Sequence, residues 1–345
     1  MKKRDHVQGD YFTRRDFLKT VGISAGTLAL GSQTLIAPGF AADIYPAGRI
    51  TCLVPNAPGG GYDMISRGVA PYLTKHFKEV VPGAKGGQVI IKNEPGAAGR
   101  KCFEMLYRAK PDGYTFAALD SAFATEALTT DLGFDLNEFT YLLQFNDTTR
   151  IVIVKKNGFA NWDEMMKAAK TKELKWGIAQ FGRATHVDSI IIKEAFGIPA
   201  RLIPFGGTAG MMAALIRGDV QMATGSDDSA KPLLASGEIR VLADFTGKGG
   251  YPGVPTSKEL GRPDLAEKVS GHRFFIGPPN MPKGISNTMI AAFKKALMDP
   301  EFLAWAKKID LEVNPLYGEE ADRMAKRIFK YYMVELKPLL LKYLN

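Results

Sequence analysis

The chain has 345 residues, 46% of them hydrophobic, and a formal net charge of +9. This length suits two domains, and the composition is typical of a globular protein with a large core. Because Lys and Arg form no cluster beyond the N-terminal segment, we expect no nucleic-acid partner.

The N-terminal segment has the features of a bacterial export signal. Residues 13–19 match the twin-arginine signature closely, and a moderately apolar stretch follows them. Gly39 and Ala41 are the small residues that signal peptidase requires. We therefore predict a twin-arginine signal peptide over residues 1–41, cleaved after about Ala41, and export to the periplasm by the twin-arginine machinery. The alternative, an uncleaved membrane anchor, is disfavoured because the apolar stretch is short and interrupted.

A glycine-rich turn follows the first predicted strand, at 50–54, and leads into a helix predicted over 64–76. Three consecutive glycines, at 59–61, allow the backbone to approach a ligand closely. The helix directs its free N–H groups and the positive end of its dipole at this turn. Such an arrangement is typical of anion sites, and of carboxylate sites in particular. The alternative is that the glycines form only a tight connection.

Strands and helices then alternate, which predicts a sheet covered by helices on both faces. Strands are predicted at 89–92 and 116–119, with a helix at 102–109 between them. Asp120 and Ser121 follow the second of these strands and can cap a short helix. Ligands bind such sheets at the carboxyl ends of the strands, so both residues are candidate ligand contacts.

The apolar run at 140–155 predicts a strand that leaves the first domain and enters a second one. The second domain repeats the order of strand, turn with a hydroxyl or carboxylate, and helix. A strand at 273–277 crosses back, and a mainly helical segment follows, with one helix predicted over 320–343.

We therefore predict an α/β fold of the two-lobed periplasmic-binding-protein (clamshell) type. Each lobe is expected to contain a mainly parallel sheet flanked by helices, with the ligand in the inter-domain cleft. The predicted domains are residues 42–148 with 273–345, and residues 149–272.

Motifs of common enzyme and nucleotide-binding classes are absent from the sequence. The glycine-rich turn lacks the last glycine of G-x-G-x-x-G, and neither a Walker A nor a G-x-S-x-G motif occurs. Two cysteines and four histidines are too scattered for a metal site, so we expect no metal and no cofactor. Cys52 and Cys102 are expected to be small buried apolar residues, although a disulfide between them stays open.

Four stretches carry a resemblance to a known family. They are the turn at 54–63, the Asn-x-Pro-Gly-Ala-x-Gly turn at 93–99, the Pro-Asp-Gly-Tyr-Thr turn within 110–115, and 204–207, which is preceded by Thr185-His186. In this order, and behind an export signal, they resemble the tripartite tricarboxylate transporter substrate-binding proteins, or Bug family, over essentially residues 46–345.

The resemblance implies a periplasmic receptor that does no covalent chemistry. It implies delivery of a small carboxylate to a permease with one large and one small membrane subunit. It also implies that backbone N–H groups, hydroxyls and ordered waters hold one carboxylate between the domains. Departures from the family pattern include Tyr62, Asn56 and Phe205. Asp227 and Asp228 also depart from it, and would repel a second carboxylate unless paired, or would bind an amine or hydroxyls.

The sequence thus predicts a binding protein for a small mono- or dicarboxylate. The candidate ligand residues come from the turns described above: Asn56, Ala57, Gly59, Gly60, Gly61, Tyr62, Asp63, Asp120, Ser121, Gln180, Phe181, Thr185, His186, Phe205, Gly206, Gly207, Thr208 and Asp227. Asp63 is expected to order its own loop, whereas Tyr62, Phe181 and Phe205 are expected to form apolar walls. Gly60→Val is expected to abolish ligand binding.

Two other functions stay open. One is a periplasmic sensor that passes ligand occupancy to a membrane kinase. The other is a secreted α/β enzyme in which His186 acts as a base oriented by Asp227 or Asp228.

Overall fold

Two β-sheets organise the part of the chain that this computed structural model describes, namely residues 44–59, 61–148, 150–245, 247 and 249–344. The predicted signal peptide and Gly60 lie outside the described residues. The strands, in chain order, are β1 (Ile50–Val54), β2 (Val89–Asn93), β3 (Thr115–Asp120), β4 (Thr140–Thr148), β5 (Arg150–Lys155), β6 (Leu174–Ile178), β7 (Ala200–Pro204), β8 (Met222–Ser226), β9 (Ile239–Asp244), β10 (Gly271–Gly277) and β11 (Leu316–Tyr317).

Helices cover both sheets. In chain order they are α1 (Gly61–Val80), α2 (Arg100–Tyr107), α3 (Glu126–Thr129), α4 (Trp162–Ala169), α5 (Ala184–Phe196), α6 (Thr208–Arg217), α7 (Asp227–Ala235), α8 (Leu265–Lys268), α9 (Lys283–Met298), α10 (Pro300–Lys308), α11 (Glu319–Lys330) and α12 (Lys337–Leu344). Within the described ranges, none of them is both long enough and apolar enough to cross a membrane.

The first sheet has the order β11-β4-β10-β3-β1-β2, and the second has the order β7-β6-β8-β5-β9. In the first sheet β1 is parallel to β2 and β3, and β10 is antiparallel to β3 and β4. In the second, β6 is parallel to β7 and β8, and β5 is antiparallel to β8 and β9.

The two-lobed α/β fold is confirmed, but the sheets are mixed rather than mainly parallel. The strands that follow each passage of the chain between the sheets, β5 and β10, run antiparallel to both of their neighbours. A parallel pair needs a crossover connection, usually a helix within the same lobe. Strands β5 and β10 follow segments that come from the other lobe, so no crossover connection within their own lobe precedes them.

Successive side chains of β1 point to opposite faces of the first sheet and belong to different apolar clusters. Cys52 and Val54 belong to an apolar cluster with α1 and α9, whereas Leu53 belongs to the cluster on the opposite face. A strand buried on both faces in this way reads as a continuous apolar run. The second cluster also contains Trp176 from β6 and Phe329 from α11. The core of the first sheet is therefore continuous with that of the second.

The first sheet takes its strands from residues 50–148 and 271–317, and the second from residues 150–244. Residues 43–345 nevertheless form one compact unit. The division into two domains with the boundaries given above stays a prediction.

Two helical features differ from the sequence prediction. Helix α7 is not predicted, because it contains Pro232 and begins in a turn-like segment. The helix predicted over 320–343 is interrupted by a π-helical turn, Tyr331–Glu335, before α12. Pro338 cannot donate a backbone hydrogen bond, which favours a change in the helical pattern at this point.

Candidate functional site

A cleft of about 1490 Å³ lies where several strands of both sheets end. It is lined by the turn after β1 and by the turns after β6, β7 and β8. Binding at the carboxyl ends of strands is the rule for open α/β sheets. This position makes the cleft the candidate ligand site.

Asp63 orders the turn after β1. Its carboxylate accepts hydrogen bonds from the backbone N–H of Gly59 at 2.9 Å, from Arg67 Nε at 3.0 Å and from Asn93 Nδ2 at 2.9 Å. Burial acts to raise the pKa of Asp63, but the hydrogen bonds from Arg67, Gly59 and Asn93 hold it below its usual value. Asn93 also donates to the carbonyl of Asn56 at 3.0 Å, so two side chains fix the turn from behind.

The start of α6 lines the same cleft as the start of α1. Gly206 has φ +75°, a left-handed conformation that glycine adopts without strain. Helix α6 begins two residues later, and no side chain within the described ranges caps its N-terminus. The first N–H groups of a helix have no intrahelical acceptor. Two helix N-termini, one from each lobe, therefore present donors to one cleft.

Eleven of the predicted ligand residues line this cleft: Asn56, Ala57, Gly59, Gly61, Tyr62, Asp120, Gln180, Thr185, Gly206, Gly207 and Thr208. Six do not: Asp63, Ser121, Phe181, His186, Phe205 and Asp227. Gly60 lies outside the described residues.

His186 lies beneath the turn after β6 rather than in the cleft. It is only 2% exposed, and its Nδ1 accepts a hydrogen bond from the backbone N–H of Gly182 at 2.9 Å. Burial lowers the pKa of His186 to about 4. The ring of Phe181 covers the imidazole at a centroid distance of 4.5 Å, and Phe205 packs against the apolar core of the second lobe. Of the three predicted apolar walls, Tyr62 alone lines the cleft.

Asp120 and Ser121 have different roles at the end of β3. The Asp120 carboxylate lines the cleft and accepts a hydrogen bond from the backbone N–H of Ala122 at 3.0 Å, which caps the following turn. Ser121 is fully buried, and its hydroxyl accepts from the backbone N–H of His272 at 3.1 Å. Ser121 therefore joins β3 to β10 instead of facing a ligand.

The acidic pair at the start of α7 is compensated by cations. Asp227 accepts from the Tyr251 hydroxyl and forms an ion pair with Lys231 at 3.2 Å. Asp228 accepts from Arg273 Nη2 at 2.8 Å. These contacts, and not contacts with His186, hold both carboxylates, so the geometry gives no support to a base at His186 oriented by either aspartate.

Three buried arginines line the cleft and were not predicted as site residues: Arg150, Arg183 and Arg273, which are 5%, 7% and 8% exposed. Arg150 Nε contacts Asp188 at 2.6 Å, and Arg183 Nη1 donates to the carbonyl of Ala98 at 2.8 Å. Burial raises the pKa of Asp188 to about 6, against the opposing charge of Arg150.

A signal for two of these arginines exists in the sequence. Arg150 directly precedes the apolar strand residues 151–154, and Arg273 precedes Phe274 and Phe275 within β10. A charged residue inside an apolar run must be paired or functional, because an isolated buried charge is costly.

No group of three or more His, Cys, Asp or Glu side chains in the described ranges is placed to hold a metal ion. Cys52 and Cys102 are both buried free thiols, which answers the question of a disulfide between them.

The family model "Tripartite tricarboxylate transporter family receptor" matches residues 77–330. The chain belongs to this family. A UPF0065 protein encoded in the gbd 5′ region of Cupriavidus necator is 27% identical over 323 residues, which cover 92% of this chain and 95% of the relative.

Solved structures of tripartite tricarboxylate receptors and related proteins share the fold. The periplasmic binding protein BugD is 22% identical, with a TM-score of 0.69 over 86% of this chain and 98% of BugD. An adipate-bound protein from Rhodopseudomonas palustris is 21% identical, with a TM-score of 0.74 over 86% of this chain and 98% of its own. The resemblance to the Bug family is thus confirmed.

Proposed function

We propose that this protein is a periplasmic receptor that captures a small mono- or dicarboxylate and delivers it to a tripartite tricarboxylate-type permease. The observation that carries the proposal is the presence of two helix N-termini, those of α1 and α6, in one cleft. Backbone N–H groups and the positive ends of helix dipoles bind anions without an added cation.

The eleven cleft-lining residues given above form the proposed binding surface. We assign to Asp63 the role of holding the turn after β1 in its conformation, since its carboxylate already accepts hydrogen bonds from three donors. Family membership supports the receptor role, and the adipate complex of the relative from R. palustris supports a carboxylate as the ligand.

Export and transport complete the proposal. Residues 1–41 are assigned as a twin-arginine signal peptide, and the large and small membrane subunits of the permease as the partners of the mature protein. Replacing Arg14 and Arg15 by lysine is expected to leave the uncleaved precursor in the cytoplasm, which cell fractionation would detect.

The central experiment is a thermal-shift screen of the mature protein, starting at residue 42, followed by calorimetry. The probes are butyrate and the linear dicarboxylates from succinate to adipate, with the neutral adipamide as the matched control. A ligand that binds only the folded state raises its stability, by about 2.7 kcal/mol when the ligand is present at 100 times its Kd. We expect at least one carboxylate, and not adipamide, to raise the Tm.

The proposal would be overturned if no carboxylate bound while an amine or a sugar did. Uptake of the bound carboxylate by cells with and without the gene then tests the transport role. Normal uptake without the protein would contradict delivery to a permease.

A further inference from the structure

The guanidinium group of Arg273 is incompletely paired. Its Nη2 donates to Asp228 at 2.8 Å, but its Nη1 is buried and has no hydrogen-bond acceptor among the described residues. The residue is 8% exposed and lines the cleft. Buried charged donors are nearly always satisfied, because an unpaired one loses the stabilisation that water would provide.

Arg273 stands beside the start of α1. A Cβ atom added to Gly61 would lie 3.8 Å from Arg273 Nη2, and the guanidinium carbon lies 5.7 Å from the centre of the Tyr62 ring. The strand partner of Arg273 on β3 is Asp120, which also lines the cleft. The arginine therefore joins the glycine-rich turn, although more than 200 residues separate them along the chain.

Cationic side chains outnumber anionic ones on the surface of the cleft. Among the described residues that line it, five are cationic (Arg150, Arg183, Lys231, Arg273 and Lys308) and three are anionic (Asp120, Asp228 and Asp310), a difference of +2. Asp188 and Asp227 lie behind this lining and pair with Arg150 and Lys231, so they offset the difference. The positive charge that the cleft presents therefore depends on individual side chains rather than on the net charge.

We propose that the guanidinium group of Arg273 binds the ligand carboxylate directly, beside the N–H groups at the start of α1. Asp228 holds the other side of the guanidinium at Nη2, and Tyr62 lies against its face, so the group is oriented before the ligand arrives. Preorganised charge-assisted hydrogen bonds of this kind favour planar carboxylates. This inference rests on the proposed carboxylate-binding function. It names the side chain whose positive charge makes the site prefer a charged carboxylate to a neutral ligand.

The test compares wild type with three variants of the mature protein by calorimetry, using the carboxylate that binds wild type best and adipamide. Arg273→Gln alone is not used, because it leaves the partly buried Asp228 without its cation and can fail to fold. The double variant Arg273→Gln/Asp228→Asn leaves two polar but uncharged side chains, of which only the replacement of aspartate by asparagine is isosteric. Asp228→Asn removes only the supporting charge. Arg217→Gln is the surface control, since this side chain is 60% exposed and pairs with Asp219 outside the cleft.

The double variant is expected to bind the carboxylate roughly 10- to 150-fold more weakly than wild type, the loss typical of a hydrogen bond to a charged group. Asp228→Asn is expected to retain the preference for the carboxylate over adipamide. Arg217→Gln is expected to bind within about twofold of wild type, as exposed ion pairs contribute little.

The outcomes separate the two proposals. If wild type bound no carboxylate, both proposals would fall. If wild type bound a carboxylate and the folded double variant bound it within about twofold of wild type, the role of Arg273 would be refuted and the receptor function would stand.

Discussion

The carboxylate of Asp63, the third residue of α1, accepts a hydrogen bond from the backbone N–H of Gly59 at 2.9 Å. The helix thereby closes the turn that precedes it, much as the acid of a capping box reaches back to an earlier N–H. The ligand contacts proposed for this turn therefore depend on a residue that does not itself line the cleft.

Asp63→Ala is therefore expected to weaken carboxylate binding and to lower the free energy of unfolding by about 1–2 kcal/mol, the usual cost of losing such hydrogen bonds. Calorimetry and urea unfolding measure the two effects. Asp163→Ala is a suitable control, because Asp163 is an exposed acid in the first turn of α4. Unchanged affinity in Asp63→Ala would show that the turn keeps its form without the carboxylate.

Gly206→Ala and Gly237→Ala form a matched pair. Both glycines have a left-handed backbone, with φ +75° and +71°, and no heavy atom lies within 4 Å of an added Cβ in either case. Each substitution should cost about 1–2 kcal/mol through strain alone, and a similar drop in Tm is expected. Only Gly206 lines the cleft, so only Gly206→Ala should weaken ligand binding. Equal affinities in calorimetry would remove the turn after β7 from the site.

Acid should destabilise the protein through His186, which is buried, and His272, which is partly buried. Burial lowers the pKa of His186 and of His272 to about 4, whereas an exposed histidine titrates near 6.5. Between these values the unfolded chain binds protons that the native state does not, so the free energy of unfolding falls as pH falls. The slope reaches at most about 1.4 kcal/mol per pH unit for each histidine.

Urea unfolding of wild type, His186→Gln and His272→Gln between pH 7 and pH 4 measures this contribution. Each variant should show a shallower decline than wild type, and carboxylate affinity should show no inflection near pH 6.5. Parallel curves for wild type and a variant would mean that the replaced histidine titrates normally.

The two thiols should be inert in the folded protein. Cys52 and Cys102 are 1% and 0% exposed, and burial raises the pKa of Cys102 to about 12. Since the thiolate is the reactive form, a thiol reagent at pH 8 should label neither cysteine until denaturant is added. Rapid labelling of the native protein would indicate an opening of the first sheet.

Apolar runs and glycine-bearing turns predicted most of the fold. The first strand was predicted at 50–54 and is found there, and Asp120, predicted to cap a short helix, accepts a hydrogen bond from the N–H of Ala122 at 3.0 Å. These features depend on local sequence. The mixed character of the sheets could not be predicted locally, because the direction of β5 and β10 follows from passages between lobes.

The sequence predicted the turns that line the candidate site. It did not predict the arginine side chains that reach the site from distant segments of the chain. The turn at 56–62 carries its own glycine signal. Arg150, Arg183 and Arg273 share no spacing, and only the sheet order brings them to one cleft. His186 was misplaced for the opposite reason, since its neighbours in sequence line the cleft while its own side chain points into the structure.

The position of β10 has a consequence for how the chain matures. This strand lies between β3 and β4, which do not pair with each other, and it begins only at Gly271. A nascent chain that stops short of Gly271 can pair β1 with β2 and β3, but β4 then has no neighbour in this sheet, because β10 and β11 both come later in the chain. The edge of β3 also stays unpaired until β10 is made. Completion of this sheet must await nearly the whole of synthesis, and pairing between such distant segments is intrinsically slow.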